Sequence, residues 1–408
     1  MCLAMTTWAD TVEPERVGMS AERLERVGEL IQRHIDEGNI SGAVTLVARN
    51  GEIAHLEAHG VMDIESNAPM QPDTIFRIAS MTKPIVSTAV MMLVEEGKIR
   101  LTDPVSRFIP GFADAEVAVV RQRRGPGGFG GGGGFAGGGA PDYYTVPAER
   151  ALTILDVLTH TGGVMSGAAG NAGGMPLFGR RQELGAAWTE GLAGVPLDFQ
   201  PGSRWSYSGL GGFDMLARIV EIVSGQPFDR FLSERIFQPL GAEDIFFWPS
   251  PSQRERLVGN YVRGQDGLAP RNDPDMLSGP SYFSGSGGLM STAEAYARVG
   301  MMLANGGEWN GVRVLSPRSV EMIRSPFIPD TLPGRQAGEG YGLGVRVITD
   351  PVARRVMLSE GSFGWSGAYG THFWADPEKN LVAILMIQSQ APGLAGDFET
   401  AVMQAVID

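Results

Sequence analysis

The sequence predicts an α/β protein in which an antiparallel sheet is flanked by helices and a mostly helical lobe is inserted into the middle of the chain. Three observations carry this prediction. Strand-like runs from Ala43 to Arg49 and from Glu52 to Ala58 flank Asn50-Gly51, the dipeptide best suited to a two-residue hairpin turn. A second group of strand-like runs recurs near the end, with connections too short for parallel crossovers. Between the two groups the apolar periodicity is helical. At 408 residues the chain exceeds the usual size of one core. The expected division is a discontinuous α/β domain of residues 1–85 and 280–408 around a helical domain of residues 86–279, which carries a Gly-rich insertion at 121–141.

Taken in order, Ser20 reads as the N-cap of an amphipathic helix with Leu24, Val27, Ile31 and Ile35 on one face and Gly38 as its stop. The hairpin follows. His55 and His59 lie on its second strand, where four residues of extended chain separate them by about 13 Å, so they do not form a metal pair. A helix then runs from about Met81 to Glu96, apolar nearly all round and therefore buried, with Gly97 beyond it. Between Gly125 and Gly139, eleven of fifteen residues are glycine. Such a segment buries too little apolar surface to offset its ordering entropy and reads as a mobile insertion; no Gly-Lys-Ser/Thr follows to make it a phosphate loop.

Thr153 is placed to cap a helix ending at Leu158, and His160 is read as closing that helix rather than as a catalytic base. Another helix spans about Gly212 to Val223, with Tyr207 just before it. Ser291 and Glu294 suggest a capping box for a helix from Ala293 to Ala304. Tyr341 to Ile348, Arg355 to Ser359, Ala368 to Trp374 and Leu381 to Gln388 then read as strands, and Asp397 to Val406 as a closing helix over the sheet.

Composition excludes several function classes. The net charge of −13 disfavours nucleic acid and anionic membrane as partners. The single cysteine, Cys2, excludes an intrachain disulfide, and no Cys/His cluster has metal-ligand spacing, so no metal or cofactor is expected. The first ten residues lack a basic segment followed by an apolar one, and no run approaches the length of a membrane span. A soluble, cytoplasmic protein is the expectation.

The chemistry is expected at Ser80-Met81-Thr82-Lys83-Pro84. Ser-x-x-Lys puts a hydroxyl and a primary amine on one helical face. Pro84 has no N–H to give the Ser80 carbonyl, which is tolerable only in a first turn and so sets Ser80 at the helix N-terminus. There the unpaired N–H groups favour an oxyanion and disfavour an extra proton on Lys83. The tetrapeptide alone arises by chance about once in a chain this long, but composition sharpens it. Of 33 basic residues only Lys83, Lys98 and Lys379 are lysines, and arginine, which fills the other positions, does not deprotonate in proteins.

Five blocks in order then give the chain its resemblance. They are Ser80-Met81-Thr82-Lys83, Leu158-Thr159-His160-Thr161-Gly162-Gly163, Trp205-Ser206-Tyr207-Ser208, Ser286-Gly287-Gly288-Leu289-Met290-Ser291-Thr292-Ala293, and Gly364-Trp365-Ser366-Gly367 followed by Phe373-Trp374-Ala375-Asp376-Pro377. From Pro14 to Asp408 the chain resembles serine hydrolases of the β-lactamase fold, most closely the family VIII carboxylesterases. The resemblance implies Ser80 as nucleophile, Lys83 and Tyr207 as the proton-transfer pair, and Trp365, Ser366 and Gly367 as the substrate-binding strand box facing Ser80. It implies an oxyanion hole from the backbone N–H groups of Ser80 and Ala368, each such donor being worth about 3 kcal/mol of barrier.

Two departures from the pattern point to esters. The box of lactam-recognising relatives begins with a lysine that attracts a carboxylate, and here Trp365 offers an aromatic plate to an uncharged group. The third position of the tyrosine motif is usually asparagine, and here it is Gly209, which leaves open what holds Lys83. The resulting expectation is hydrolysis of a small-molecule, short-chain ester through acyl-Ser80. The alternatives are a β-lactamase or D-Ala-D-Ala peptidase, an acyltransferase, and a non-catalytic acyl-binding sensor.

Overall fold

The computed structural model describes residues 11–121, 141–265, 267–271, 278–279 and 281–408. Cys2 and the run from Gly125 to Gly139 lie outside the described residues. Ser20 caps the first helix, α1 (Ala21–Asp36), by accepting a hydrogen bond from the Arg23 N–H, and Leu24, Val27, Leu30 and Ile31 form its buried stripe. Strands β1 (Gly42–Arg49) and β2 (Glu52–Asp63) follow as the expected hairpin, with Asn50 and Gly51 both at positive φ.

The main sheet contains these two strands, β3 (Ala68–Pro69), and five from the C-terminal part: β4 (Glu339–Tyr341), β5 (Arg346–Ile348), β6 (Phe363–Ser366), β7 (His372–Asp376) and β8 (Leu381–Met386). Their order is β4-β5-β6-β7-β8-β1-β2-β3, and every neighbouring pair is antiparallel. The predicted antiparallel sheet flanked by helices is therefore present, with chain segments far apart in sequence meeting where β8 pairs with β1.

Strand β8 explains why this part of the sequence is apolar without alternation. Val382, Ile384 and Met386 face one core cluster, while Leu381, Ala383 and Leu385 face a second. A strand buried on both faces needs apolar residues at every position. The second cluster is closed by α1 and a C-terminal helix, α6 (Leu394–Met403). The first is closed by α5 (Ala293–Ala304) and runs on to α2 (Thr82–Glu95) and α4 (Gly212–Ser224); between these in sequence lies the short α3 (Ile154–Leu158).

Five expectations need correction. The strand expected from Ala368 to Trp374 is β7, His372–Asp376, because residues 368–370 turn the chain back after β6. Tyr341 to Ile348 is not one strand but a hairpin, β4 and β5, because Gly344 at φ 75° reverses the chain. Arg355 to Ser359 is not a strand: a turn of helix at Pro351–Arg354 ends with Arg355 in the left-handed region, and the strand comes later, as β6. Helix α5 is capped by Thr292, whose hydroxyl accepts from the Ala295 N–H, rather than by a Ser291–Glu294 box; Ser291 is occupied in a strand. The closing helix begins at Leu394, three residues before the expected Asp397.

Candidate active site

Helix α2 has apolar residues on every side, and all its residues from Thr82 to Leu93 are buried. Lys83 is among them, with no exposed surface. An ammonium taken from water needs acceptors, and Lys83 Nζ has three in reach: the Ser286 carbonyl at 2.7 Å, the Gly209 carbonyl at 3.2 Å and Ser80 Oγ at 3.3 Å. With Gly209 in the tyrosine motif, it is the main chain that holds the lysine. Two carbonyls fix two N–H directions, so the remaining direction, whether hydrogen or lone pair, is aimed at Ser80.

Ser80 sits in a single turn of 3-10 helix, Ala79–Met81, that leads into α2. The preceding Ala79 has φ 43°, a left-handed conformation that costs a non-glycine residue about 1–2 kcal/mol. The Ile78 N–H donates to the Leu289 carbonyl just before this turn, at 3.1 Å, which anchors it to the strand bearing Met290. The box strand approaches the same turn from the other side. A Cβ added to Gly367 would lie 2.5 Å from the Ile78 carbonyl oxygen, so only glycine permits this spacing.

Tyr207 arrives from the segment before α4, 127 residues along the chain, and its hydroxyl donates to Ser80 Oγ at 2.7 Å. Trp365 Nε1 in turn donates to the Tyr207 oxygen at 3.4 Å, and the two rings pack with centroids 5.3 Å apart. Lys83 Nζ meets Tyr207 through the ring, 5.0 Å from its centroid. Ser80 Oγ is thus the atom on which the amine and the phenol both converge. A cleft of about 350 Å³ opens beside it, lined by Ser80, Tyr207, Trp365, Ser366, Gly367 and Ala368 together with Glu339 and Arg346. Gln390 Nε2 donates to the Ala368 carbonyl at 3.0 Å and fixes that peptide at the rim.

His160 follows the end of α3 as expected, but its side chain has a further place. Nδ1 accepts the Ser208 N–H at 3.1 Å, and the ring stands edge-on to Tyr207 with centroids 4.8 Å apart. Burial, reinforced by the charge of Lys83, pushes its pKa well below the ordinary value, so the ring is neutral and acts as a wall behind Tyr207. His55 Nε2 pairs with Thr45 Oγ1 at 2.8 Å, and both histidines meet Glu57, His59 Nε2 at 2.9 Å and His55 Nδ1 at 3.8 Å. Among the described residues no group of three or more His, Cys, Asp or Glu side chains is arranged to hold a metal ion, and no helix is long and apolar enough to cross a membrane.

Asp214, in the first turn of α4, was not legible as a site residue. Its buried carboxylate accepts from Ser286 Oγ at 2.6 Å, Ser284 Oγ at 2.7 Å, the Gly211 N–H at 3.0 Å and the Ser286 N–H at 3.2 Å. It therefore fixes both segments whose carbonyls hold Lys83. A sequence signal existed, since Asp214 stands in the first turn between the apolar Phe213 and Met215, but N-terminal capping accounts for it equally well.

Comparison with known proteins adds to this geometry. A family model described as Beta-lactamase matches residues 27–406. An uncharacterized protein of Mycobacterium tuberculosis is 37% identical over 391 residues, covering 91% of each chain. The esterase EstB of Burkholderia gladioli is 29% identical over 444 aligned positions, covering 98% of this chain and 99% of its own. Among solved structures, EstCE1, a hydrolase with promiscuous acyltransferase activity, superposes with a TM-score of 0.77 at 25% identity, covering 95% of this chain and 99% of its own.

Proposed function

The chain belongs to the beta-lactamase family of serine hydrolases, and within it we propose that the protein is a carboxylesterase of the family VIII type, hydrolysing short-chain esters through an acyl-enzyme on Ser80. One observation carries the reading: Lys83 Nζ and Tyr207 Oη both lie within hydrogen-bond reach of Ser80 Oγ. A hydroxyl next to a base that is itself held by other groups is the arrangement that covalent catalysis requires.

In this reading the Ser80 proton leaves along one of those two hydrogen bonds as Oγ attacks the ester carbonyl. The backbone N–H groups of Ser80 and Ala368 receive the oxyanion, and the same proton returns to the departing alkoxide. Water then enters, gives its proton to the Lys83–Tyr207 pair and attacks the acyl group; the bond to Ser80 Oγ breaks, the pair returns that proton to Oγ, and the acid leaves. Trp365, Ser366 and Gly367 form the substrate-facing edge of the cleft. The aromatic wall of Tyr207 and Trp365, backed by buried Tyr341, whose ring meets Trp365 edge-on at 5.2 Å, favours an uncharged acyl or alkoxy group. The likeness to the esterase EstB supports esters over lactams.

The test is turnover of p-nitrophenyl acetate and butyrate by the wild type and by Ser80→Ala, Lys83→Ala and Tyr207→Phe. Each variant is expected to lose about 10³-fold or more in kcat. Wild-type rates in all three would end this reading, and nitrocefin turnover outpacing ester turnover would replace it with a β-lactamase. The acyltransferase activity named for EstCE1 is a second reading, distinguished by new esters formed when alcohols are added.

A further inference from the structure

A second hydroxyl on the same cleft has the partners of an activated nucleophile. Ser366, at the end of β6, is exposed and lines the cleft beside Ser80. Directly across the antiparallel pair stands His372 of β7, and Ser366 Oγ lies 2.8 Å from its Nδ1. His372 Nε2 lies 3.0 Å from Oε1 of Glu399 on α6, and the same oxygen receives Arg346 Nη2 of β5 at 2.6 Å. His372 and Glu399 are both buried, 2% and 4% exposed.

The proton positions follow from the partners. Burial by itself would raise the Glu399 pKa, but the hydrogen bond and charge of His372 and those of Arg346 outweigh it and hold the carboxyl down at about 2. An ionised carboxylate only accepts, so His372 Nε2 carries the hydrogen. When the ring carries no charge, Nε2 keeps this hydrogen and Nδ1 is an acceptor placed 2.8 Å from Ser366 Oγ. Serine, imidazole and carboxylate are ordered as in a hydrolase triad, with the two ring nitrogens exchanged.

We propose that Ser366 is a second nucleophilic serine of this cleft, activated by His372 and Glu399, and that it takes the acyl or phosphonyl group of activated esters and fluorophosphonates. With a fluorophosphonate, Ser366 Oγ forms the bond to phosphorus, the phosphorus–fluorine bond breaks, fluoride departs, and the serine proton passes to His372 Nδ1. With an ester the same proton is handed on to the leaving alkoxide. The Arg346 guanidinium, also on the cleft wall, offsets negative charge that builds up on the adduct. Both serines open on one cleft, but the hydrogen bonds that activate Ser366 involve neither Lys83 nor Tyr207, so the proposal does not rest on the role given to Ser80.

The test removes Ser80. Ser80→Ala protein is incubated with a fluorophosphonate, its mass is measured intact, and the adduct is located by peptide sequencing within residues 356–379. The expected result is a single adduct on Ser366 that is absent from Ser80→Ala/Ser366→Ala. In Ser80→Ala/Glu399→Gln and Ser80→Ala/His372→Gln, labelling is expected to slow by about 10²-fold, the usual contribution of a positioned base. Thermal melts of each variant separate loss of the base from loss of the fold. Folded Ser80→Ala that stays unlabelled, or that is labelled at another residue, overturns the proposal and leaves the network as a structural tie between β5, β6, β7 and α6.

Discussion

Replacing Asp214 by asparagine keeps the shape of the side chain and tests whether Lys83 depends on it. The carboxylate receives four hydrogens, two on each oxygen: the Gly211 N–H and Ser286 O–H on Oδ2, and the Ser286 N–H and Ser284 O–H on Oδ1. Asparagine offers one acceptor oxygen and an NH₂ group, so one backbone N–H must face a donor whichever way the amide is turned. A buried donor left unpaired costs about 1–3 kcal/mol, and losing the charge weakens each remaining bond. A destabilisation of about 3 kcal/mol is expected, measurable as a lowered urea midpoint at unchanged slope. The larger effect is on chemistry. The Ser286 carbonyl is the shortest partner of Lys83, at 2.7 Å, and a shift of about 1 Å in a reacting group costs on the order of 10²-fold in rate. Asp214→Asn should therefore lose about 10²-fold in kcat for p-nitrophenyl butyrate while KM stays within a few-fold. Wild-type kcat in a folded Asp214→Asn enzyme would refute the claim that this carboxylate sets the lysine.

His160→Ala leaves the buried Ser208 N–H without its acceptor and opens a void behind Tyr207; a loss of about 2–4 kcal/mol and a drop in kcat are expected, and an unchanged melting temperature would contradict this. Trp365→Lys restores the cation typical of lactam-recognising relatives, so ester kcat/KM should fall and cephalosporin turnover should rise, whereas an unchanged ratio counts against the aromatic plate as the selector. Stability should also depend on His55. Burial lowers its pKa to about 4, with Glu57 opposing and His59 adding, so the unfolded chain binds a proton near the ordinary 6.5 that the folded protein refuses. Its contribution is complete above pH 6.5 and is lost as pH falls towards 4, on the order of 3 kcal/mol in all. Urea unfolding of wild type and His55→Gln at pH 7 and pH 4.5 isolates that difference, and identical pH dependence in both would exclude His55 as its source.

The sheet was readable because its signals are local. Asn50-Gly51 sets one hairpin, and the Asp376 side chain sets another by accepting the Glu378 and Lys379 N–H groups. The misread strands failed where a backbone conformation overrode propensity. Residues 341–348 have the composition of one strand, but Gly344 breaks it, and Arg355 adopts a left-handed φ that no run of neighbours announces. Ser80 and Lys83 were visible through their spacing and the scarcity of lysine, and Tyr207 only through the resemblance, since a lone tyrosine before a helix is ordinarily a packing residue. Asp214, His372 and Glu399 were not visible as partners. Their roles arise from contacts across 27 residues in one case and more than 70 in another, which no short motif encodes.

The most direct test of the account is a quenched-flow experiment with p-nitrophenyl butyrate in which p-nitrophenol release and protein mass are followed together. The account predicts a burst of p-nitrophenol, a transient butyryl adduct mapped to Ser80, and loss of that adduct and of steady turnover in Ser80→Ala, leaving only acylation of Ser366. Ester turnover at the wild-type rate in Ser80→Ala, with no adduct at Ser80 in the wild type at any time, would contradict it.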